Sequence, residues 1–208
     1  MINDKGVIVR VQSSMVLNQV IHGKHSLDRA IEQAYKEIDD NEKPLFMNIC
    51  YGTLRFYWEL KAKIDQLLSK PLKKKDKIIE NLLQSAIFQI DKTRIPDHAV
   101  VSQTVEASRQ LNKGHFSSLI NAILRTYLRS DREIEKISEE IIFNHPNWMI
   151  EKIKQDWPLN WEEILKKNND RAPMWLRINK KKIETKKYHK QFLINKSKIE
   201  VNNTDIND

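Results

Sequence analysis

The stretch Arg94-Ile95-Pro96-Asp97-His98-Ala99-Val100-Val101, answered by Leu119-Ile120-Asn121-Ala122-Ile123-Leu124-Arg125, restricts this chain more than any other feature. Pro96 ends what precedes it and biases Ile95 away from helix. Asp97 follows where an N-cap acceptor is wanted. Val100, Val101, Thr104, Val105 and Leu111 then recur near helical spacing. The second segment is expected to put Leu119, Ile120, Ile123, Leu124, Tyr127 and Leu128 on one face. Two apolar helices joined by the short Asn112-Lys113-Gly114 turn must run antiparallel and pack. The N-terminal part is therefore expected to wrap helices around this hairpin.

Only Gly6, Gly23, Gly52 and Gly114 occur, which excludes a Gly-rich nucleotide loop of the usual kind. Few glycines and prolines within long periodic runs predict an all-α fold. No apolar run approaches the roughly 20 residues of a membrane span, and no signal peptide opens the chain. Cys50 is the sole cysteine, so no intrachain disulfide forms and a cytoplasmic setting is expected. The net charge of +8 permits a nucleic-acid or other anionic partner. A plain lysine-rich bias would give the same count.

Taken in order, Val7 to Ile21 predicts a first helix and Ser26 caps a short second one. A long third helix, Leu45 to Leu68, admits Pro44 in its first turn and a bend near Gly52 or Trp58. Lys73-Lys74-Lys75 reads as an exposed basic loop before a fourth helix, Ile78 to Ile90, capped by Asp76. After the hairpin, a polar helix with Ile134, Ile137, Ile141 and Ile142 is expected, broken at His145-Pro146. Trp148 to Leu165 predicts two short helices split at Pro158. Met174, Leu176 and Ile178 alternate with Trp175 and Arg177 in a strand pattern, and Ile199 to Val201 suggests another. Beyond about Lys180 the lysine-rich tail carries too few apolar residues for a core.

The combination Arg94-Ile95-Pro96-x-His98-Ala99-Val100, Val105-Glu106 and Leu119 to Arg125 resembles the NusB-type RNA-binding domain. It is most similar to the version that opens the bacterial 16S ribosomal RNA cytosine-C5 methyltransferases of the RsmB (Sun, Fmu) family. Cys50-Tyr51-Gly52-Thr53-Leu54-Arg55 and the connector Asn168 to Asn179 match the same family, so the likeness runs from about Ser13 to about Asn179. It implies an all-α bundle over residues 7–143, a helical linker over 144–169, and an incomplete α+β segment over 170–208 before an absent methyltransferase domain. It also implies docking on small-subunit ribosomal RNA. S-adenosylmethionine is expected for the full-length parent, not for this chain.

The family's chemistry uses cysteines in Pro-Cys and Thr-Cys motifs and a Gly-rich cofactor loop, none of which is here. Cys50 shares an apolar face with Phe46, Ile49 and Leu54 and reads as a core thiol. No metal site is expected: His22 and His25 are close but lack acidic or cysteine partners. This chain alone is expected to be inactive.

The RNA-binding residues expected are Arg94, His98, Arg125, Arg129, Arg132, Lys73, Lys74, Lys75, Trp175 and Arg177. Arg125, Arg129 and Arg132 fall at i, i+4 and i+7, opposite the apolar stripe. Arg125 has a second reading, as a clamp on Glu106, and Asn121 is expected to cap neighbouring backbone. Trp175 beside Arg177 suits base stacking or the covering of a subdomain junction. Two other functions stay open: a stand-alone antitermination factor of the NusB type, and a helical protein–protein adaptor.

Overall fold

The computed structural model describes residues 4–170, 172, 177–184 and 186–188. They fall into two units, divided between Asn169 and Asp170. The first unit is helical throughout. Its order is α1 (Asp4–Ile21), α2 (Leu27–Ala34), α3 (Lys43–Arg55), α4 (Tyr57–Leu67), α5 (Lys77–Lys92), α6 (Asp97–Gln110), α7 (Ser117–Arg129), α8 (Glu139–Phe143), α9 (Asn147–Asp156) and α10 (Trp161–Asn169). Short 3-10 turns precede α5 and α7.

The helix at the centre is α5, not the α6–α7 hairpin. Every residue from Ile79 to Ile90 is buried, and α1, α3, α4, α6 and α7 all pack on it. Leu82, Leu83 and Ile87 fill the main core with Leu60, Ile64, Val100, Ile120 and Leu124. A second core joins α1, α2 and α3 through Val9, Val16, Ile31, Phe46, Ile49 and Cys50. A third, smaller one is formed by Phe143, Ile150 and Leu165, with the Trp161 ring edge-on to Phe143 at 5.2 Å.

The hairpin packs as expected, with one residue misplaced. Ile120, Ile123, Leu124 and Tyr127 are buried at i, i+3, i+4 and i+7, while Leu119 is 37 % exposed. At 100° per residue, Leu119 lies about a quarter-turn from the centre of that stripe, beyond its edge at Ile123. Val105 is only half-buried. The turn out of α6 is a Schellman motif: Lys113 N–H reaches Ser108 O at 2.8 Å and Asn112 N–H reaches Arg109 O at 3.0 Å. Asn112 takes the left-handed conformation this needs, with φ 56°. Asp97 is the first helical residue, not the cap; the Pro96 carbonyl accepts the N–H of Ala99 and Val100.

The long third helix divides at Phe56 into α3 and α4. Gly52 sits where α3 crosses α5, tightly against the Phe88 ring. The expected helix over Ile134 to Ile142 shrinks to α8, leaving Ile137 and Ile142 exposed. Two local features prevent its earlier start. Arg132 is left-handed, with φ 64°. The Asp131 carboxylate accepts Glu133 N–H at 3.2 Å, an alternative to helical pairing. Trp148 and Trp157 lie outside the third core, at 73 % and 60 % exposure.

In the second unit, Arg177 to Asn179 have no regular structure, so the strand expected there is not seen among the described residues. Trp175, the rest of that strand, the Ile199 to Val201 strand and most of the lysine-rich tail lie outside the described residues.

Candidate nucleic-acid interface

The antiparallel hairpin leaves an open groove of about 710 Å³ between α6 and α7. Val101, Val105 and Leu128 supply its apolar lining; Asp97, His98, Ser102, Arg109, Asn121 and Arg125 supply the polar lining. The lining follows directly from spacing. His98, Ser102, Val105 and Arg109 fall at i, i+4, i+7 and i+11 on α6, and Asn121, Arg125 and Leu128 at i, i+4 and i+7 on α7.

His98 and Arg125 thus line one groove from its two sides. The Arg125 Nε–H donates to Asn121 Oδ1 at 3.0 Å. That bond replaces both the Glu106 clamp and the backbone cap expected of Asn121. Glu106 instead holds Arg109 at 2.5 Å. Arg129 is one turn beyond Arg125 and donates its Nε–H to the Arg125 carbonyl at 3.1 Å. Arg94 is exposed in the connector leading into α6. Among the described residues, no carboxylate lies within ion-pair distance of Arg94, Arg125 or Arg129.

Arg132 does not continue this column. The helix ends at Arg129, and the left-handed turn folds Arg132 over the Tyr127 ring, 5.6 Å from its centre, with Nη1 3.5 Å from Asp91. Asp91 is the hub of a half-buried cluster that the sequence reading missed. It accepts the Tyr127 hydroxyl at 2.5 Å and the Lys63 ammonium at 2.9 Å, and Lys63 also binds Glu59 at 2.7 Å. Burial and then the Asp91 hydrogen bond raise the Tyr127 phenol above its ordinary range. Burial works against charge on Lys63, yet its bonds to Glu59 and Asp91 outweigh it and raise that group too. These cations are neutralised within the fold.

Lys73, Lys74 and Lys75 are exposed, as expected, but at the opposite end of the hairpin from Arg125 and Arg129. A 13-residue α7 separates the two ends by roughly 20 Å. Here Lys113 bridges to the Lys75 carbonyl at 3.2 Å and to Asp76 at 2.7 Å, pinning the loop to the hairpin turn. Arg177 is exposed in the second unit.

Cys50 is fully buried, and burial pushes its thiol up to about 12 against a hydrogen bond with Ser13. It is a core thiol, unsuited to nucleophilic attack near neutrality. No group of three or more His, Cys, Asp or Glu side chains among the described residues is placed to hold a metal ion. No helix among them is long and apolar enough to cross a membrane.

The NusB family model matches residues 8–129, the span of α1 to α7. The chain belongs to the NusB family. A second model, the RsmF/B-like methyltransferase ferredoxin-like domain, matches residues 145–207 and so takes in α9 and α10. This NusB-family chain is 33 % identical over 174 residues to "Ribosomal RNA small subunit methyltransferase B" of Yersinia pseudotuberculosis serotype O:1b (strain IP 31758). It is equally similar to the protein of that name from Yersinia pestis bv. Antiqua (strain Angola). Each match covers 83 % of this chain and 41 % of the relative, so the chain spans about two-fifths of the length of the curated relatives it matches.

Proposed function

We propose that this chain is the RNA-docking part of a small-subunit ribosomal RNA (cytosine-C5)-methyltransferase. The face carrying Arg94, His98, Arg125 and Arg129 binds the RNA. One observation carries the reading: in a NusB-family chain, three exposed arginines beside the α6–α7 groove have no carboxylate counter-ion among the described residues. Unneutralised arginines at a surface supply phosphate contacts, which position a protein on RNA without reading sequence. Lys73, Lys74 and Lys75 add a second phosphate-binding end, and Trp175 and Arg177 extend RNA contact into the following segment. Arg132 is dropped from the set, because Asp91 already engages it.

On this reading residues 7–143 are the RNA-binding domain, 144–169 a helical linker, and 170–208 the start of an α+β subdomain. The working setting is the cytoplasm, where ribosomal RNA is processed. This chain, with four scattered glycines and no Gly-rich loop, is expected to hold no S-adenosylmethionine by itself, and Cys50, sealed in the core, is not placed to attack a base. Methyl donor and nucleophile belong to the longer parent. The match over residues 145–207 favours this parent over a stand-alone antitermination factor.

A salt series of RNA binding tests the proposal. Arg125→Glu with Arg129→Glu should lower affinity for a small-subunit RNA fragment and reduce the slope of log affinity on log salt by roughly 0.7–0.9 per lost contact. The melting temperature should hardly move, because exposed charges contribute little to stability. Parental affinity and slope in the double variant, with both lost in a Lys73/Lys74/Lys75 charge reversal, would move the interface to the other end. A parent that binds no RNA at low salt would leave the adaptor reading in its place.

A further inference from the structure

We infer that residues 130–144 are a strap rather than a tether, and that Asn144 is its lock. The Asn144 side chain caps helix α4 from 85 residues away and so fixes the α8–α10 module on the helical bundle.

The α8–α10 module has its own core of Phe143, Ile150 and Leu165, separate from the main core of the bundle. Its α8 packs on α4, and α9 and α10 pack on α8 and on each other. What orients the module is therefore largely the chain leading into it. That chain is anchored to the bundle at Arg132, Glu133 and Asn144. Arg132 Nη1 lies 3.5 Å from Asp91, which also holds Lys63 of α4 at 2.9 Å. Gln66 Nε2–H donates to the Glu133 carbonyl at 3.4 Å. Asn144 Oδ1 accepts the Glu59 N–H at 3.0 Å. Glu59, Lys63 and Gln66 stand at i, i+4 and i+7, one face of α4, so the anchors run along that helix for about 10 Å. The NusB match stops at residue 129 and the ferredoxin-like match begins at 145, so all of these strap residues fall between the two matched spans.

Asn144 is the anchor that the surrounding backbone prepares. Helix α4 starts directly at the break on Phe56, whose side chain has no acceptor to cap it. The Glu59 N–H lies in the first turn, where no partner exists within the helix. A side-chain amide oxygen is an acceptor such a position favours. Asn144 itself is left-handed, with φ 54° and ψ 39°, a conformation that asparagine tolerates better than most residues. Its neighbours brace it from the other side. The buried His145 engages the Phe143 carbonyl through Nδ1 and the Asn168 amide, at 3.0 Å, through Nε2. Asn169 Nδ2–H donates to the same carbonyl at 2.6 Å. The last carbonyl of α8 is thus tied to the end of α10, and the side chain that follows it to the start of α4. Whatever the α6–α7 groove binds, the bundle presents it to α9 and α10 at one orientation.

Spin labels on the whole chain measure the coupling. Asn48→Cys in α3 and Gln155→Cys in α9 put one exposed label on each body, while the buried Cys50 stays unlabelled. Double electron–electron resonance should give one narrow distance distribution for this pair. Asn144→Gly keeps the left-handed backbone and removes the cap acceptor. It should widen the distribution about twofold or more, and speed hydrogen exchange at the Glu59 amide about fivefold or more, the worth of one N-cap. Asn144→Asp returns an acceptor to the same place and should restore both the narrow distribution and the slow exchange. Far-ultraviolet circular dichroism at the temperature of measurement checks that each variant is folded. A broad distribution without any change at Asn144 overturns the strap. A glycine variant as narrow as its parent, or an aspartate variant as broad as the glycine one, overturns Asn144 as the lock.

Discussion

Replacing Gly52 with alanine sets two effects of opposite sign against each other at one position. In an exposed helix the change would stabilise, because alanine exceeds glycine in helix propensity by about 1 kcal/mol. Gly52 is buried in α3, where an added Cβ would sit 1.9 Å from Phe88 Cζ and 2.3 and 2.6 Å from its neighbours. Carbon pairs reach their best separation at about 3.5–4.0 Å, so ring and helix must part by well over an ångström. The ring has little room to yield. Phe88 is 3 % exposed and its other side faces Phe56, with centroids 6.4 Å apart and planes 21° from parallel. Overpacking of this kind costs about 1–3 kcal/mol and should outweigh the propensity gain, leaving Gly52→Ala less stable than the parent by up to about 2 kcal/mol. Phe88→Leu removes the offending ring edge. In the double variant the alanine should then be tolerated, giving a favourable coupling of about 1–2 kcal/mol in a double-mutant cycle. Urea titration followed by far-ultraviolet circular dichroism measures all four proteins. A stabilised Gly52→Ala single variant would show that α3 does not cross α5 at Phe88.

Two further outcomes follow from the packing and the ion pairs. Ile123 is 4 % exposed, so Ile123→Ala should cost about 2–5 kcal/mol, whereas Leu119→Ala, at 37 % exposure, should change stability by less than about 0.5 kcal/mol in the same titration. The hydrogen bond from the Lys113 ammonium holds the Asp76 carboxyl below its ordinary range, against burial. A depressed folded-state pKa contributes stability that is present above the unfolded value and lost as pH falls through the folded one. Lys113→Met should therefore raise the midpoint pH of acid unfolding, and a midpoint unmoved or lowered would show that the pair does not link the two turns in solution.

Periodicity made the hairpin legible, because α6 and α7 each have one clear apolar stripe and a turn that only an antiparallel return satisfies. It misled at α5 for the opposite reason. Asn81, Gln84, Ser85 and Gln89 look like a solvated face, yet all four are buried. Ser85 and Gln89 satisfy part of their demand on their own helix, through Leu82 O and Ser85 O. A helix surrounded by five others has no solvent face, and nothing local in its sequence says so. The isoleucines at 134, 137, 141 and 142 misled in another way: their spacing suits a helix, but the backbone at Asp131 and Arg132 is committed elsewhere. The groove was within reach, since the i, i+4, i+7, i+11 row from His98 to Arg109 was present from the start. A cap at Asp97 and a core Val105, the expectations from local pattern, leave that row no groove to line.

Charge is where local sequence carries least and the fold adds most. The count of +8 treats every cation alike, and Arg125, Arg129 and Arg132 share one helical spacing. What separates them is the position of carboxylates far away in sequence. Asp91, 41 residues from Arg132, draws that arginine off the column and also engages Lys63 and Tyr127. Asp76, 37 residues from Lys113, ties the basic loop to the hairpin turn. Glu106 takes Arg109 and so leaves Arg125 to Asn121, a neutral partner that orients the guanidinium without cancelling its charge. A cation held by a carboxylate in the folded state has little to gain from a phosphate, because the carboxylate must first be displaced. One oriented by a neutral amide keeps its full attraction. The same three-dimensional pairing that stabilises one end of α7 therefore decides which arginines are left without a carboxylate at its surface.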